Sequence, residues 1–140
     1  MLEKTLILLK PDAIKRRLMG DILSRFEQKG LKIEAMRFMK LEREQAEEHY
    51  FMHKDKDFFI NLIQFITSGP LLAMVIESDN AIALCRKVVG ATNPMEAEAG
   101  SIRGDFAFNT TENLVHASDC REAAEREIKI FFRKSEVFNY

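Results

Sequence analysis

Leu114-Val115-His116-Ala117-Ser118-Asp119-Cys120-Arg121-Glu122-Ala123-Ala124-Glu125-Arg126-Glu127-Ile128-Lys129-Ile130-Phe131 reads as a short strand running straight into an amphipathic helix. Leu114 to Ala117 form the strand. Asp119 and Glu122 have capping-box spacing and open a helix that extends to about Phe132. Cys120, Ala124, Ile128 and Phe131 recur at helical spacing, so their side of the helix faces the core. Glu127 stands in the middle of the same stripe. A carboxylate on a buried face is costly unless it is hydrogen-bonded or paired, so the interior should hold a donor for it. A kinked helix, or a Glu reaching water at the helix edge, is the plain alternative. The stretch itself supplies two donors, the imidazole of His116 and the hydroxyl of Ser118. A helix folded back over its own strand brings Glu127 towards His116.

A histidine oriented by an acid and supported by a hydroxyl is a nucleophile's arrangement. Its ordinary pKa of about 6.5 leaves much of the imidazole neutral near pH 7. A carboxylate on one ring nitrogen frees the other to attack and stabilises the ring as positive charge develops. The competing reading is a satisfied core histidine at a strand end. The other two histidines, His49 and His53, fall in a helix with solvated charges and are assigned surface roles.

Working outward, Thr5 to Leu9 is a continuous apolar run and reads as a buried strand. Asp12 caps a short helix to Met19. Gly20 breaks it, and a second run, Asp21 to Lys29, carries Ile22, Leu23 and Phe26 on one face and stops at Gly30. Leu31 to Leu41 alternates as a strand, with a slip near Ala35-Met36 that suggests a bulge. Glu42 to His53 reads as helix, and so does Phe58 to Ile66, with Phe59, Leu62, Ile63 and Ile66 on one side. Ser68-Gly69-Pro70 is a turn, Leu71 to Glu77 a strand, and Asp79 caps a helix from Asn80 to Val89 that Gly90 ends. Ala91 to Thr111 lacks periodicity, and so long a loop in a compact domain is functional or mobile. This order fits a parallel open sheet and a split βαβ arrangement alike.

The 140 residues, 46% of them hydrophobic, suit one domain spanning residues 1–140 with one core. A formal net charge of -1 lacks the basic excess of a dedicated nucleic-acid binder, so an anion site must be a local cluster. No apolar run approaches the ~18 residues of a membrane span, and the chain is expected to be cytoplasmic. Cys85 and Cys120 have no metal spacing and read as free buried thiols. Neither Gly-x-Gly-x-x-Gly after the first strand nor Gly-x4-Gly-Lys-Ser/Thr is present, so any bound phosphates must be held by side chains.

Asn113-Leu-Val-His116-Ala-Ser118-Asp119 resembles the active-site signature of nucleoside diphosphate kinases, Asn-x-x-His-Gly/Ala-Ser-Asp. Six further stretches resemble the family in its order and spacing: Lys10-Pro11-Asp12, Glu48-His49-Tyr50, Phe58-Phe59, Ser68-Gly69-Pro70, Gly90-Ala-Thr92-Asn93-Pro94 and Ser101-Ile-Arg103-Gly104-Asp105-Phe106. The resemblance covers nearly the whole chain. It implies a ferredoxin-like α+β sandwich with a four-stranded antiparallel sheet in βαββαβ order. It implies a ping-pong reaction in which His116 takes the γ-phosphate of a triphosphate such as ATP or GTP. The phosphohistidine then passes it to a diphosphate such as ADP or GDP.

The resemblance also implies the roles. Lys10, Arg86 and Arg103 would clamp the transferring phosphates, the kind of charge stabilisation that dominates phosphoryl transfer. Glu127 and Ser118 would support His116. Thr92 and Tyr50 would lie at the phosphates, Asn113 with Lys10 at the sugar, and Phe58 under the base. A lone aromatic platform reads no base edge, so broad base tolerance is expected. Mg²⁺ would arrive on the nucleotide phosphates, with no metal ligands from the protein. No membrane or dedicated nucleic-acid partner is expected. A homo-oligomer is, hexamer ahead of tetramer. Ala13 and Ala117 stand where many members carry glycine, Thr110 where a small apolar residue often lines the base pocket, and Met95 to Ala99 is unusually acidic.

Two other readings make different demands. A catalytically silent ferredoxin-like interaction domain would not keep His116, Lys10, Arg86 and Arg103 together, yet all four are present. A histidine phosphocarrier would need neither Phe58 nor Asn113.

Overall fold

The computed structural model describes all residues from Met1 to Tyr140. Four strands, β1 (Leu2–Leu9), β2 (Lys32–Lys40), β3 (Pro70–Asp79) and β4 (Val115–Ala117), form one sheet in the order β2-β3-β1-β4. Every neighbouring pair is antiparallel, which is the expected ferredoxin-like arrangement. The helices are α1 (Pro11–Lys15), α2 (Met19–Gln28), α3 (Arg43–His49), α4 (Phe59–Ile66), α5 (Ala81–Val89), α6 (Ile102–Phe106) and α7 (Arg121–Phe131).

The apolar run in β1 is continuous because both of its faces are covered. Ile7 and Leu9 join Leu72, Met74 and Ile76 of β3 against Ile22 and Phe26 of α2 and Cys85 and Val89 of α5. Leu6 and Leu8 join Leu71, Ala73 and Val75 against Ala46 of α3, Ile63 and Ile66 of α4 and Phe131 of α7. His116 is the cross-strand partner of Leu8. Cross-strand partners share a face of the pleat, so the imidazole points to the α3–α4–α7 side.

Several local expectations are corrected. The helix from Asp12 stops at Lys15, and the break falls at Arg17, which is left-handed with φ 60. Gly20 instead lies in the first turn of α2, where the amides have no intrahelical partner and a glycine costs little. Asp12 caps nothing; Lys10 is the N-cap of α1. The bulge expected near Ala35 is present, between Ile33 and Ala35, where buried Glu34 turns inward to meet Lys4 and Lys32. The helix expected to reach His53 ends at His49 and gives way to a 3-10 turn, Phe51–His53.

Asp79 does not cap α5. It pairs with the N-terminal ammonium at 2.8 Å, and Glu3 Oε1 accepts the Ile82 amide at 3.0 Å. The residues 91–111 contain α6, capped by Ser101 Oγ accepting from Gly104 N at 3.1 Å; five residues are too few to show a period. The capping box at Asp119 is absent, because α7 begins at Arg121 with Cys120 as its N-cap. Cys120 is therefore exposed, while Cys85 is buried, and both are free. No helix is long and apolar enough to cross a membrane.

Candidate active site

Glu127 is 3% exposed, as its place on the helix stripe predicts. Its Oε1 lies 2.8 Å from Nε2 of His116 and accepts from Ser118 Oγ at 2.7 Å. Ser118 is fully buried behind the pair and in turn accepts the amide of Leu6 at 3.2 Å. Burial pushes the Glu127 carboxyl up. The hydrogen bond and charge of His116, then His49 and the Ser118 hydroxyl, outweigh that and hold it below the usual carboxylate value. An ionised Glu127 accepts a hydrogen bond from Nε2–H, so in the neutral ring Nδ1 is the nitrogen that carries the lone pair. Nδ1 has no hydrogen-bond partner in the protein.

A cleft of about 530 Å³ opens over this imidazole. It is lined by Lys10, Tyr50, Phe58, Arg86, Thr92, Arg103, Asn113, His116 and Glu127, which is every residue singled out from sequence except the buried Ser118. Lys10 follows β1 directly, and its Nζ donates to Asn113 Oδ1 at 2.5 Å. Asn113 is buried, and its Nδ2 donates to the carbonyl of Thr92 at 3.2 Å. Arg86 projects from α5, and its Nη1 donates to the Ala117 carbonyl at 3.1 Å.

Arg103 is buried and does more than face the cleft. It donates from Nε to Asn113 O at 3.2 Å, from Nη1 to Gly90 O at 3.0 Å and from Nη2 to Val115 O at 2.5 Å. One guanidinium thus ties the end of α5 to the entry of β4, and two of its five donors stay free. Gly90 is needed at this junction: its φ is 93, and a Cβ there would meet Ser101 Oγ at 2.4 Å.

Burial, then the facing Arg103, lower Lys10 to about 8 against an opposing pull from Asp12. Burial, then Arg86, lower Arg103 to about 10, so it stays charged at neutral pH. Three cations held this close without an equal number of anions are set up for an anionic ligand.

Phe58 stands at the N-cap of α4, 45% exposed, with Lys56 Nζ over its ring at 5.6 Å. Phe59 packs into the core, as its spacing predicts. Thr92 is exposed at the cleft wall, and Thr110 also lines it. Tyr50 caps the C-terminus of α3, and burial raises its phenol above the ordinary value.

His49 was missed. Far from being a surface residue, it is 1% exposed and packs edge-on against His116, with ring centroids 4.7 Å apart and planes at 82°. Tyr50 and Phe131 complete its cage at 4.7 and 5.6 Å. The signal was available: His49 falls three residues after buried Ala46, on the inward side of α3. His49, His116 and Glu127 bring potential metal ligands within 4.8 Å of one another. Lys10, Arg86, Arg103 and Arg126 surround the cluster and Glu127 is committed to His116, so its charge suits a phosphate far better than a resident cation.

The profile of the family "Nucleoside diphosphate kinase" matches residues 3–137. The nucleoside diphosphate kinase of Methanocaldococcus jannaschii is 55% identical over 139 residues, covering 99% of each chain. That of Methanobrevibacter smithii is 55% identical, covering all of this chain and 93% of its own. Among solved structures, the Halobacterium salinarum nucleoside diphosphate kinase in complex with CDP superposes with a TM-score of 0.96 at 44% identity, covering 100% of this chain and 93% of that one. The family protein of Babesia bovis gives the same TM-score at 43% identity, covering 99% and 93%.

Proposed function

Because the chain belongs to the nucleoside diphosphate kinase family, we propose that it exchanges γ-phosphates between nucleotides through a phosphohistidine on Nδ1 of His116. The observation that carries this assignment is Nε2 held by Glu127 at 2.8 Å while Nδ1 keeps its lone pair in a cleft lined by Lys10, Arg86 and Arg103. Nδ1 attacks the γ-phosphorus, the bond to the β-phosphate oxygen breaks, and the diphosphate leaves with that electron pair. An oxygen of a second diphosphate then attacks the phosphohistidine and returns the ring to its starting state. Lys10, Arg86 and the two free donors of Arg103 bind the charge on the transferring group. Thr92 and Tyr50 contact the phosphates, Asn113 with Lys10 the sugar hydroxyls, and Phe58 the base.

The cation is Mg²⁺, brought on the nucleotide phosphates. Asp119 and Glu127 are the carboxylates lining the cleft, and Glu127 is already engaged, so Asp119 would be the protein group on hand for the ion. When bound, Mg²⁺ neutralises phosphate charge. The protein works as one unit, residues 1–140, in the cytoplasm. Its assembly is a homo-oligomer, hexamer ahead of tetramer. Met36 and Phe38 on edge strand β2, 50% and 57% exposed, give a second copy an apolar border to cover. Light scattering reads the mass.

The deciding experiment is incubation with γ-labelled ATP. The protein should take up acid-labile, base-stable label and release it to ADP, GDP or CDP alike. Label that leaves only to a protein partner would identify a phosphocarrier instead. Two variants test individual roles. Glu127→Ala should slow transfer about 10²-fold, as loss of a preorganised charge does, with nucleotide binding retained; an unaltered rate would remove Glu127 from the reaction. Phe58→Ala should weaken binding by about 1–3 kcal/mol, similarly for every base. A loss confined to purines in calorimetric titrations would refute recognition by stacking alone.

A further inference from the structure

Asp12 is the second residue of α1, is 8% exposed, and does not line the cleft. A carboxylate so placed is costly and needs an occupation. It makes one bond: Oδ2 accepts the amide of Leu114 at 3.1 Å, across more than a hundred residues of sequence. Its other oxygen, Oδ1, is buried with no partner.

Leu114 is the odd residue in that contact. Its φ is 75, a left-handed conformation that costs a leucine of order 1–2 kcal/mol. The bend is held from both sides, by Asp12 on its amide and by the Lys10 amide on its carbonyl at 2.8 Å. The residue before the bend is Asn113, whose side chain takes Lys10 Nζ and whose carbonyl takes Arg103 Nε. The residue after it is Val115, whose carbonyl takes Arg103 Nη2, and His116 follows. The bend therefore sets how three polar side chains and the nucleophile stand relative to one another.

Charge gives Asp12 a second function. Lys10 and Asp12 both bond Leu114, one at its carbonyl and the other at its amide, which sets the carboxylate close to the lysine; burial, then Arg103, disfavour the Lys10 charge, and Asp12 favours it. The neighbouring His49 is neutral and adds no repulsion. Burial raises the Asp12 carboxyl above its ordinary value, and Lys10, then the bond from the Leu114 amide, oppose that rise. We propose that Asp12 is a positioning residue for phosphoryl transfer: it holds the Leu114 bend that places Asn113, and it supplies the negative charge that keeps Lys10 cationic in the clamp. The proposal rests on Lys10 and Asn113 being nucleotide ligands.

Two substitutions separate the two functions. Asp12→Asn keeps an oxygen for the Leu114 amide and removes the charge. Its kcat/KM, followed from about pH 6 to about pH 9.5, should show the alkaline limb displaced towards lower pH by about one unit, the scale of losing one nearby opposite charge. Its deficit should grow along the limb to a further factor of about ten at the alkaline end and shrink to a few-fold at the acid end. Asp12→Ala removes the acceptor as well and should raise KM for nucleoside diphosphates about tenfold at every pH. A merely structural carboxylate would leave the position of the limb where it is in the wild type, and that result for the isosteric Asn variant overturns the proposal. Lys10→Met is the control for the reading beneath it. If Lys10→Met turns over normally, Lys10 is no nucleotide ligand and both fall. If it is inactive while Asp12→Asn titrates like wild type, only the assignment of Asp12 falls.

Discussion

His116→Ala abolishes phosphoryl transfer, with turnover lower by about 10⁴-fold or more, and leaves a folded protein that still binds nucleotide. The size of the effect follows from the chemistry. Ser118 is fully buried, and its oxygen is committed to Glu127 and Leu6, so it cannot substitute as nucleophile. His49 is caged by His116, Tyr50 and Phe131. The fold survives because the His116 side chain is 23% exposed at the floor of the cleft, where water can fill the space it leaves. Glu127 keeps its bond from Ser118 and lies 3.8 Å from Arg126 Nη2, so its charge is not abandoned. Label incorporation from γ-labelled ATP, a melting curve and a nucleotide titration on the same preparation check all three parts. A variant that still incorporates label would place the nucleophile elsewhere.

The pair at the centre of that experiment was legible because both partners lie within one strand–helix unit. Glu127 breaks an otherwise apolar stripe, and the strand that leads into the helix supplies two donors, His116 and Ser118. Burial argues from cost, and a cost at a known helical position points to a face. The cations were a different matter. Arg86 sits on α5 and Arg103 on α6, and nothing local in either sequence requires them to meet. The resemblance to a family named them; residue physics alone did not. The antiparallel sheet was likewise invisible to periodicity, since a strand buried on both faces has the same apolar run whichever way its neighbours point.

The failures share a cause as well. Asp12, Asp79 and Asp119 all read as caps, because an acid before a helix favours its first amides. For two of them a long-range partner wins, Leu114 N for Asp12 and the N-terminal ammonium for Asp79, while Asp119 stands exposed at the cleft one residue before the N-cap. His49 failed for the opposite reason. Preceded by Glu47 and Glu48, it reads as solvated from its neighbours in sequence, although successive helical residues point in different directions.

His49 also carries the second large effect, on stability in acid. Burial, then the facing His116, lower its pKa to about 3, while Glu127 pulls it up and Arg126 and Lys10 push it down. The unfolded chain takes up this proton near 6.5, and the folded one refuses it until about 3. Between those values the unfolded state binds more protons, so stability rises with pH there. The contribution is complete above 6.5 and is lost as acid is added, by about 1.4 kcal/mol per pH unit and of order 4–5 kcal/mol in full. His49→Phe keeps an aromatic edge against His116, Tyr50 and Phe131 but cannot charge. Both ring nitrogens of His49 are buried without partners, so removing them costs no hydrogen bond. Urea midpoints measured at several values between about pH 4 and pH 7.5 should therefore fall more steeply for the wild type than for His49→Phe. Acid loss through Glu127 and the other carboxylates is common to both proteins and cancels in the comparison. Parallel slopes would mean that His49 already carries its proton in the folded state, and that the ring facing the nucleophile is a cation.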